Sequence, residues 1–260
     1  MTTDSRPRQV LLKTPKQIEE MRAPGRMVGE TLAELREMTR PGTSLAELDR
    51  YVLAKFERLG VIPTFLGYHG FPHAICASVN EQIVHGFATE RRLREGDILS
   101  VDLGATIGGW VGDSAITFGV GAISADAQRL LQVTAESLQA GIDAARLPVR
   151  KGDIGAAIQE VIESAGYGVV RGYVGHGVGR EMHEPPNMPN HGRRGSGMQM
   201  RPGMVLALEP MATVGSPATA VLADGWTVCT ADGSLSAHFE HTIALRAQGP
   251  AEILTLAEPG

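Results

Sequence analysis

A chain of 260 residues, 43% of them hydrophobic, can enclose the core of one large domain or of two closely joined halves. Its formal net charge of −5 gives no electrostatic reason to expect nucleic acid as a substrate, and no stretch approaches the ~20 apolar residues that span a bilayer. Two cysteines, Cys76 and Cys229, are too few for a disulfide framework, and the first residues lack the apolar centre of a signal peptide, so a cytoplasmic protein is expected.

Residues 1–12 read as a flexible tail, and 13–260 as a single domain without a Pro-, Gly- or Ser-rich linker. Thr14, Pro15 and Gln17 supply an N-cap, a proline at the first helical position and a capping-box partner. The helix they open should run to about Met38 and stop before Pro41 and Gly42. Ser44 and Glu47 repeat the capping-box spacing, and Leu45, Leu48, Val52, Phe56 and Leu59 recur at helical intervals until Gly60. A third helix is expected after Ser124, to about Arg146. A fourth, capped by Asp153, carries Ile154, Ile158, Val161 and Ile162 and ends near Gly166.

Short segments bounded by glycine, 98–103, 110–118, 205–208, 226–229 and 239–245, read as strands. In each half, roughly 13–120 and 121–250, a helix pair precedes a strand pair. That order predicts an α/β fold with pseudo-twofold symmetry, a curved sheet inside and helices outside. The arginine clusters at Arg91, Arg92, Arg94 and at Arg193, Arg194 are short enough to be solvated surface.

A duplicated sequence sharpens the symmetry. The ten residues from Leu93 to Asp102 align without gaps on those from Met200 to Glu209, with Arg second, Gly fourth and an acid tenth in each. A weaker echo sets Asp113 and the residues after it against Glu240 and its successors. Each half therefore delivers one pair of acids to a shared cleft. A carboxylate flanked by Val101 and Leu103, or by Leu208 and Pro210, is costly to bury as a lone charge. Divalent cations are the economical compensation. Asp102, Asp113, Glu209, Glu240 and the imidazole of His176 form an oxygen-rich set suited to manganese, iron, cobalt or zinc, without the thiolates of a structural zinc site. Two such ions make a hydrolytic site.

His176 stands in Gly175-His-Gly-Val-Gly179-Arg, followed by His183-Glu-Pro-Pro186. The string lacks the glycine spacing of a dinucleotide site. The paired prolines exclude a zinc-binding H-E-x-x-H helix, and no nucleophile elbow is present. Together with Leu208-Glu-Pro210, Asp224-Gly-Trp226-Thr-Val and Ser236-Ala-His-Phe-Glu240-His-Thr, it resembles the type 1 methionine aminopeptidase family over roughly residues 17–245. Only 32 residues separate His176 from Glu209, too few for the inserted helical subdomain of type 2 relatives, and with no zinc-finger cysteines or long proline-rich extension before the catalytic region the short form is expected.

The resemblance implies the pita-bread fold, with a curved antiparallel sheet flanked by helices. It implies removal of N-terminal methionine from peptides and nascent chains when the second residue is small. Asp113 and Glu240 would bridge both metals, Asp102 would complete one site, and His176 with Glu209 the other. A bridging hydroxide would be the nucleophile and Glu209 its proton shuttle. His183 would contact the scissile amide, and His85 would orient the substrate's N-terminal end. The methionine pocket would be lined by Tyr68, Phe71, Cys76, His85, Met182 and Trp226, with Phe65 at its rim. Phe65 replaces a commonly smaller residue, and Met182 stands where an aromatic is common. A monovalent cation near Asn80 and Ser236 is a further implication. The protein is expected to be a monomer, with transient ribosome contact and no membrane association.

Two other readings share parts of this pattern. X-Pro aminopeptidases and prolidases have the same five ligands, but usually a large additional N-terminal domain, and only about 90 residues precede the first repeat here. A pita-bread module that binds without catalysis should have lost ligands, and this chain retains all of them.

Overall fold

The computed structural model describes residues 9–257, so most of the expected tail lies outside the described residues. Helix α1 spans Pro15–Met38 and opens on the reciprocal Thr14–Gln17 capping box. Helix α2, Leu45–Leu59, repeats that box with Ser44 and Glu47 and ends at Gly60 in the left-handed conformation. Helix α3, Ala125–Ala144, is capped by Ser124. Helix α4, Lys151–Ser164, corrects the expected cap: Asp153 lies inside the first turn. From there its carboxylate reaches back to the Arg150 N–H and across to that of Gly195.

All strand pairs are antiparallel. In the first half, Ile98–Ile107 forms a hairpin with Trp110–Gly119 along its whole length, and its other edge pairs first with Ile75–Val79 and then with Ile62–Pro63. In the second half, a five-stranded sheet runs in the order Glu252–Ile253, His241–Ala244, Val205–Leu208, Gly175–Gly177, Glu184–Met188. Two smaller sheets complete the inner layer. The first expected strand is thus longer than its apolar run. The expected strand 226–229 is shifted to Val228–Thr230, because an Asp224 turn takes Trp226 out of the ladder. The expected strand 239–245 shrinks to His241–Ala244, because the Glu240 N–H turns away to bond the Ala115 carbonyl at 2.8 Å.

Each half has its own core. Val28, Leu32 and Leu35 of α1 pack with Leu48 and Phe56 of α2 over Val101 and Leu103. Leu130 and Leu138 of α3 pack with Ile154 and Ile158 of α4 over Leu206 and Leu208. This repeated helix-pair-on-sheet arrangement is the expected pseudo-symmetry. Helix α1 runs through Pro24, and the gain is close approach: a Cβ on Gly112 would lie 2.5 Å from the Gly25 nitrogen. None of the helices among the described residues is long and apolar enough to cross a membrane.

Besides the ladder that pairs Gln82–Val84 with Val228–Thr230, the halves meet along a seam of hydroxyls. Thr117 Oγ1 donates to the His238 carbonyl at 2.6 Å and accepts the His238 N–H at 2.8 Å. Thr242 Oγ1 donates to the Asp113 carbonyl at 2.7 Å, and Ser114 Oγ to that of Glu240. Each bond is buried, so removing one partner leaves the other unsatisfied at about 1–3 kcal/mol. Thr117→Val keeps the shape but strands both main-chain groups of His238. It should lower unfolding free energy by about 2–4 kcal/mol in urea titration, whereas Thr106→Val on the outer strand end should change it far less.

Candidate active site

Strand parity brings the acids to one face. Asp102 pairs with Ala115 and Asp113 with Gly104, so the two carboxylates are diagonal neighbours on one side of the hairpin. His176 pairs with Ala207, and Glu209 lies two residues beyond on the same side. Glu240, just before His241–Ala244, is carried to the same place by the seam. A cavity of about 910 Å³ opens there, and every residue expected to hold metal or substrate lines it. Asn80 and Ser236 do not. Their main chains are joined by a 3.0 Å hydrogen bond elsewhere, with Asn80 in the left-handed region.

The acids and the imidazole form a tight group. Ligand atoms of Asp113, His176 and Glu240 all lie within 4.8 Å of one another. His176 Nε2 is 3.6 Å from both Asp113 Oδ2 and Glu209 Oε1. Its Nδ1 lies 3.0 Å from the Gly177 carbonyl, which fixes the proton on Nδ1 and leaves Nε2 as the free lone pair. Asp102 Oδ1, Asp113 Oδ1 and Glu240 Oε1 are buried without any hydrogen-bond partner. Orphaned carboxylate oxygens in an apolar wall, converging on a neutral imidazole, fit hard or borderline divalent cations.

Electrostatics supports the same reading. Burial pushes the Asp102 carboxyl up to about 7. Asp113, Glu209 and Glu240 are pushed well above the carboxylate range, first by burial and then by one another's charges. Burial also holds His176 down to about 3, and His85 down to about 4. The acids repel one another until a cation reverses the balance.

The pocket's other wall is apolar and aromatic. Phe71 meets Trp226 edge-on at 5.1 Å between centroids. Trp226 is held by Asp224 Oδ1, which accepts the N–H groups of Trp226 and Thr227. Cys76 sits beside Asp102 in register, and burial keeps its thiol protonated. Phe65 fits because Gly104 lacks a Cβ, which would stand 2.8 Å from the ring. His183 Nδ1 lies 2.7 Å from Tyr68 Oη, and its ring is 4.2 Å from that of His176. His85 adopts a φ of 58° at the cavity wall, where Gly86 packs directly on the Ala77 carbonyl.

Residues 19–247 match the model of metallopeptidase family M24. The methionine aminopeptidase of Clostridium acetobutylicum is 49% identical over 250 residues, covering 96% of this chain and all of that one. The crystal structure of methionine aminopeptidase from Thermotoga maritima superposes with a TM-score of 0.93 at 45% identity, over 95% of this chain and 100% of that one. The chain belongs to the methionine aminopeptidases of family M24. Prolidase from Pyrococcus furiosus shares the fold at 20% identity, with a TM-score of 0.77 over 95% of this chain and 66% of its own. This enzyme is accordingly a metal-dependent hydrolase with the pita-bread fold.

Three further residues at or beside the cavity carry no signal that the sequence reading uses. His69, with a φ of 50°, lines the cavity beside Tyr68 and depresses His183 further after burial has done so. Arg180 lines it too, its guanidinium 3.7 Å above the Trp110 ring. His238 is fully buried, held down to about 3 by burial, and lies 4.0 Å from Glu209 Oε2 with neither ring nitrogen bonded. Its spacing of two from Glu240 was the available signal.

These shifts fix a pH dependence. Carboxyls raised in the folded state bind more protons there than unfolded, so stability falls as pH rises through their folded values. The depressed histidines act oppositely, but above about 6.5 they are neutral in both states. With chelator present, the melting temperature should therefore drop as pH rises above about 6.5, through the Asp102 value of about 7 and onward as the other acids ionise. Manganese or cobalt should restore it most at the upper end. A flat profile in chelator would contradict the arrangement.

Proposed function

We propose that the enzyme removes N-terminal methionine from peptides and nascent chains whose second residue is small, using two divalent cations held where its halves meet. The observation that carries this is the convergence of four buried carboxylates and one neutral imidazole, with three carboxylate oxygens unpartnered, beside an apolar pocket. Asp113 and Glu240 would be shared by both ions, Asp102 would hold one, and His176 with Glu209 the other. When bound, such a pair polarises the scissile carbonyl and lowers the pKa of water toward neutrality. Cobalt, manganese, iron and zinc all suit the donor set. A monovalent cation beside Asn80 and Ser236 belongs to the same proposal.

The chain's own groups complete the reaction. Glu209 takes a proton from the attacking water and delivers it to the leaving amine. His183 donates from Nε2 toward the amide as charge develops there. His85, neutral because burial holds it down to about 4, accepts a hydrogen bond from the substrate's amino end. The linear thioether lies between Cys76, Phe71, Trp226 and Met182, with Tyr68 and Phe65 at the mouth; sulfur–ring contacts add about 0.3–1.5 kcal/mol. We place this activity in the cytoplasm, in one catalytic domain of residues 13–260 with halves at roughly 13–120 and 121–250. It would act as a monomer with transient ribosome contact, not on nucleic acid and not at a membrane.

Metal-loaded enzyme should release methionine from Met-Ala-Ser, accept norleucine nearly as well, and leave Ala-Pro-Ala intact. A β-branched Val or Ile at the first position should be refused, because its stiff χ1 restricts entry. Efficient release of alanine from Ala-Pro-Ala would overturn the reading. Asp113→Ala or Glu240→Ala should abolish activity and metal binding together. Glu209→Gln should lower kcat more than metal retention, and His183→Ala should lower kcat more than it raises KM. Near-normal turnover by Asp113→Ala would refute the ligand set.

A further inference from the structure

The turn that carries Met182 and His183 encloses a buried carboxylate. Between the strands Gly175–Gly177 and Glu184–Met188, Glu184 Oε1 accepts the N–H of Arg180 at 2.8 Å and that of Glu181 at 3.4 Å. It packs so closely on Gly179 that a Cβ there would lie 2.2 Å away. The other oxygen, Oε2, meets Lys13 Nζ, and the two side chains are 4% and 3% exposed. Lys13 comes from the segment before α1, where its N–H donates to the Gly203 carbonyl at 2.7 Å. Arg180, the nearest cation in sequence, is engaged elsewhere, over Trp110 and with the Gly108 carbonyl.

We propose that Lys13 is a positioning residue: its ammonium keeps the Glu184 carboxylate in the centre of the turn and so holds Met182 and His183 against the substrate. This rests on the substrate role given to His183 above. A carboxylate buried without its counter-charge is strongly unfavourable, so it swings out toward water. That movement releases the Arg180 and Glu181 amides that it now ties together. The turn loosens, and the two side chains after it lose their fixed direction. Lys13 does not line the cavity, and its effect should pass through Met182 and His183.

Lys13→Met in the full-length, metal-loaded chain tests this by amide hydrogen exchange and by kinetics with Met-Ala-Ser. Exchange should rise in residues 178–184 and not elsewhere, and metal binding should be retained. A misplaced contact of this kind can cost about 10–100-fold in kcat/KM. In a His183→Ala background the same substitution should cost clearly less than in the otherwise unvaried enzyme, because only the Met182 contact is left to lose. Lys13→Arg should restore protection and turnover, and Lys13→Met with Glu184→Gln should restore most of the protection by removing both charges. Exchange that rises everywhere or nowhere, equal losses in both His183 backgrounds, or a double variant that does not fold would each overturn the proposal. Exchange is read without catalysis, so unvaried enzyme that released no methionine would refute the functional reading and leave the exchange result to decide the anchor.

Discussion

Everything in the site depends on how the two halves are joined. Neither half alone holds all four buried carboxylates and the imidazole. Asp102 and Asp113 come from the first hairpin, and His176, Glu209 and Glu240 from the second sheet. A ladder joins Gln82–Val84 to Val228–Thr230, but beside Asp113 and Glu240 a continuous one would pair main chain with main chain and leave little freedom to turn side chains inward. Ser114, Thr117 and Thr242 instead carry much of the joint through short hydroxyls. These bonds hold the main chain at Asp113 and at Glu240 themselves, so the residues that face the cavity are fixed from behind.

The cost of that convergence is electrostatic. Four carboxylates sit in surroundings that penalise their charge and raise one another's proton affinity. The histidines around them respond in the opposite sense and stay neutral, which suits them to donate lone pairs and hydrogen bonds. One physical cause, burial, therefore acts in opposite senses on the acids and the imidazoles. The apolar wall of Phe71, Trp226, Cys76 and Met182 borders the same cavity.

Much of this was legible in the sequence, for reasons that can be named. Capping boxes act within four residues, so Thr14–Gln17 and Ser44–Glu47 mark true helix starts. Asp102 stands out because an acid interrupts an apolar strand, and the duplication doubles that signal at Glu209. Strands of three residues, such as Met211–Thr213 and Ser236–His238, are too short to show a period and were missed. Asp153 misled because an acid in the first turn has the same local signature as a cap. The seam hydroxyls look like ordinary strand residues. The Lys13–Glu184 pair spans 171 positions, and no local rule connects such distant residues. His85 and Trp226 were placed by motif resemblance alone, since the backbone features that aim them, a left-handed φ and an Asp224 turn, leave only faint traces in sequence.

The central claim is that Asp113 and Glu240, one from each half, hold a pair of cations between them. Crystals of the enzyme soaked in manganese, with anomalous differences recorded at the metal's absorption edge, test it most directly. The account predicts two peaks in the cavity, each in contact with both Asp113 and Glu240, one also touching Asp102 and the other His176 and Glu209. A single peak, or a pair that Glu240 does not touch, would contradict it.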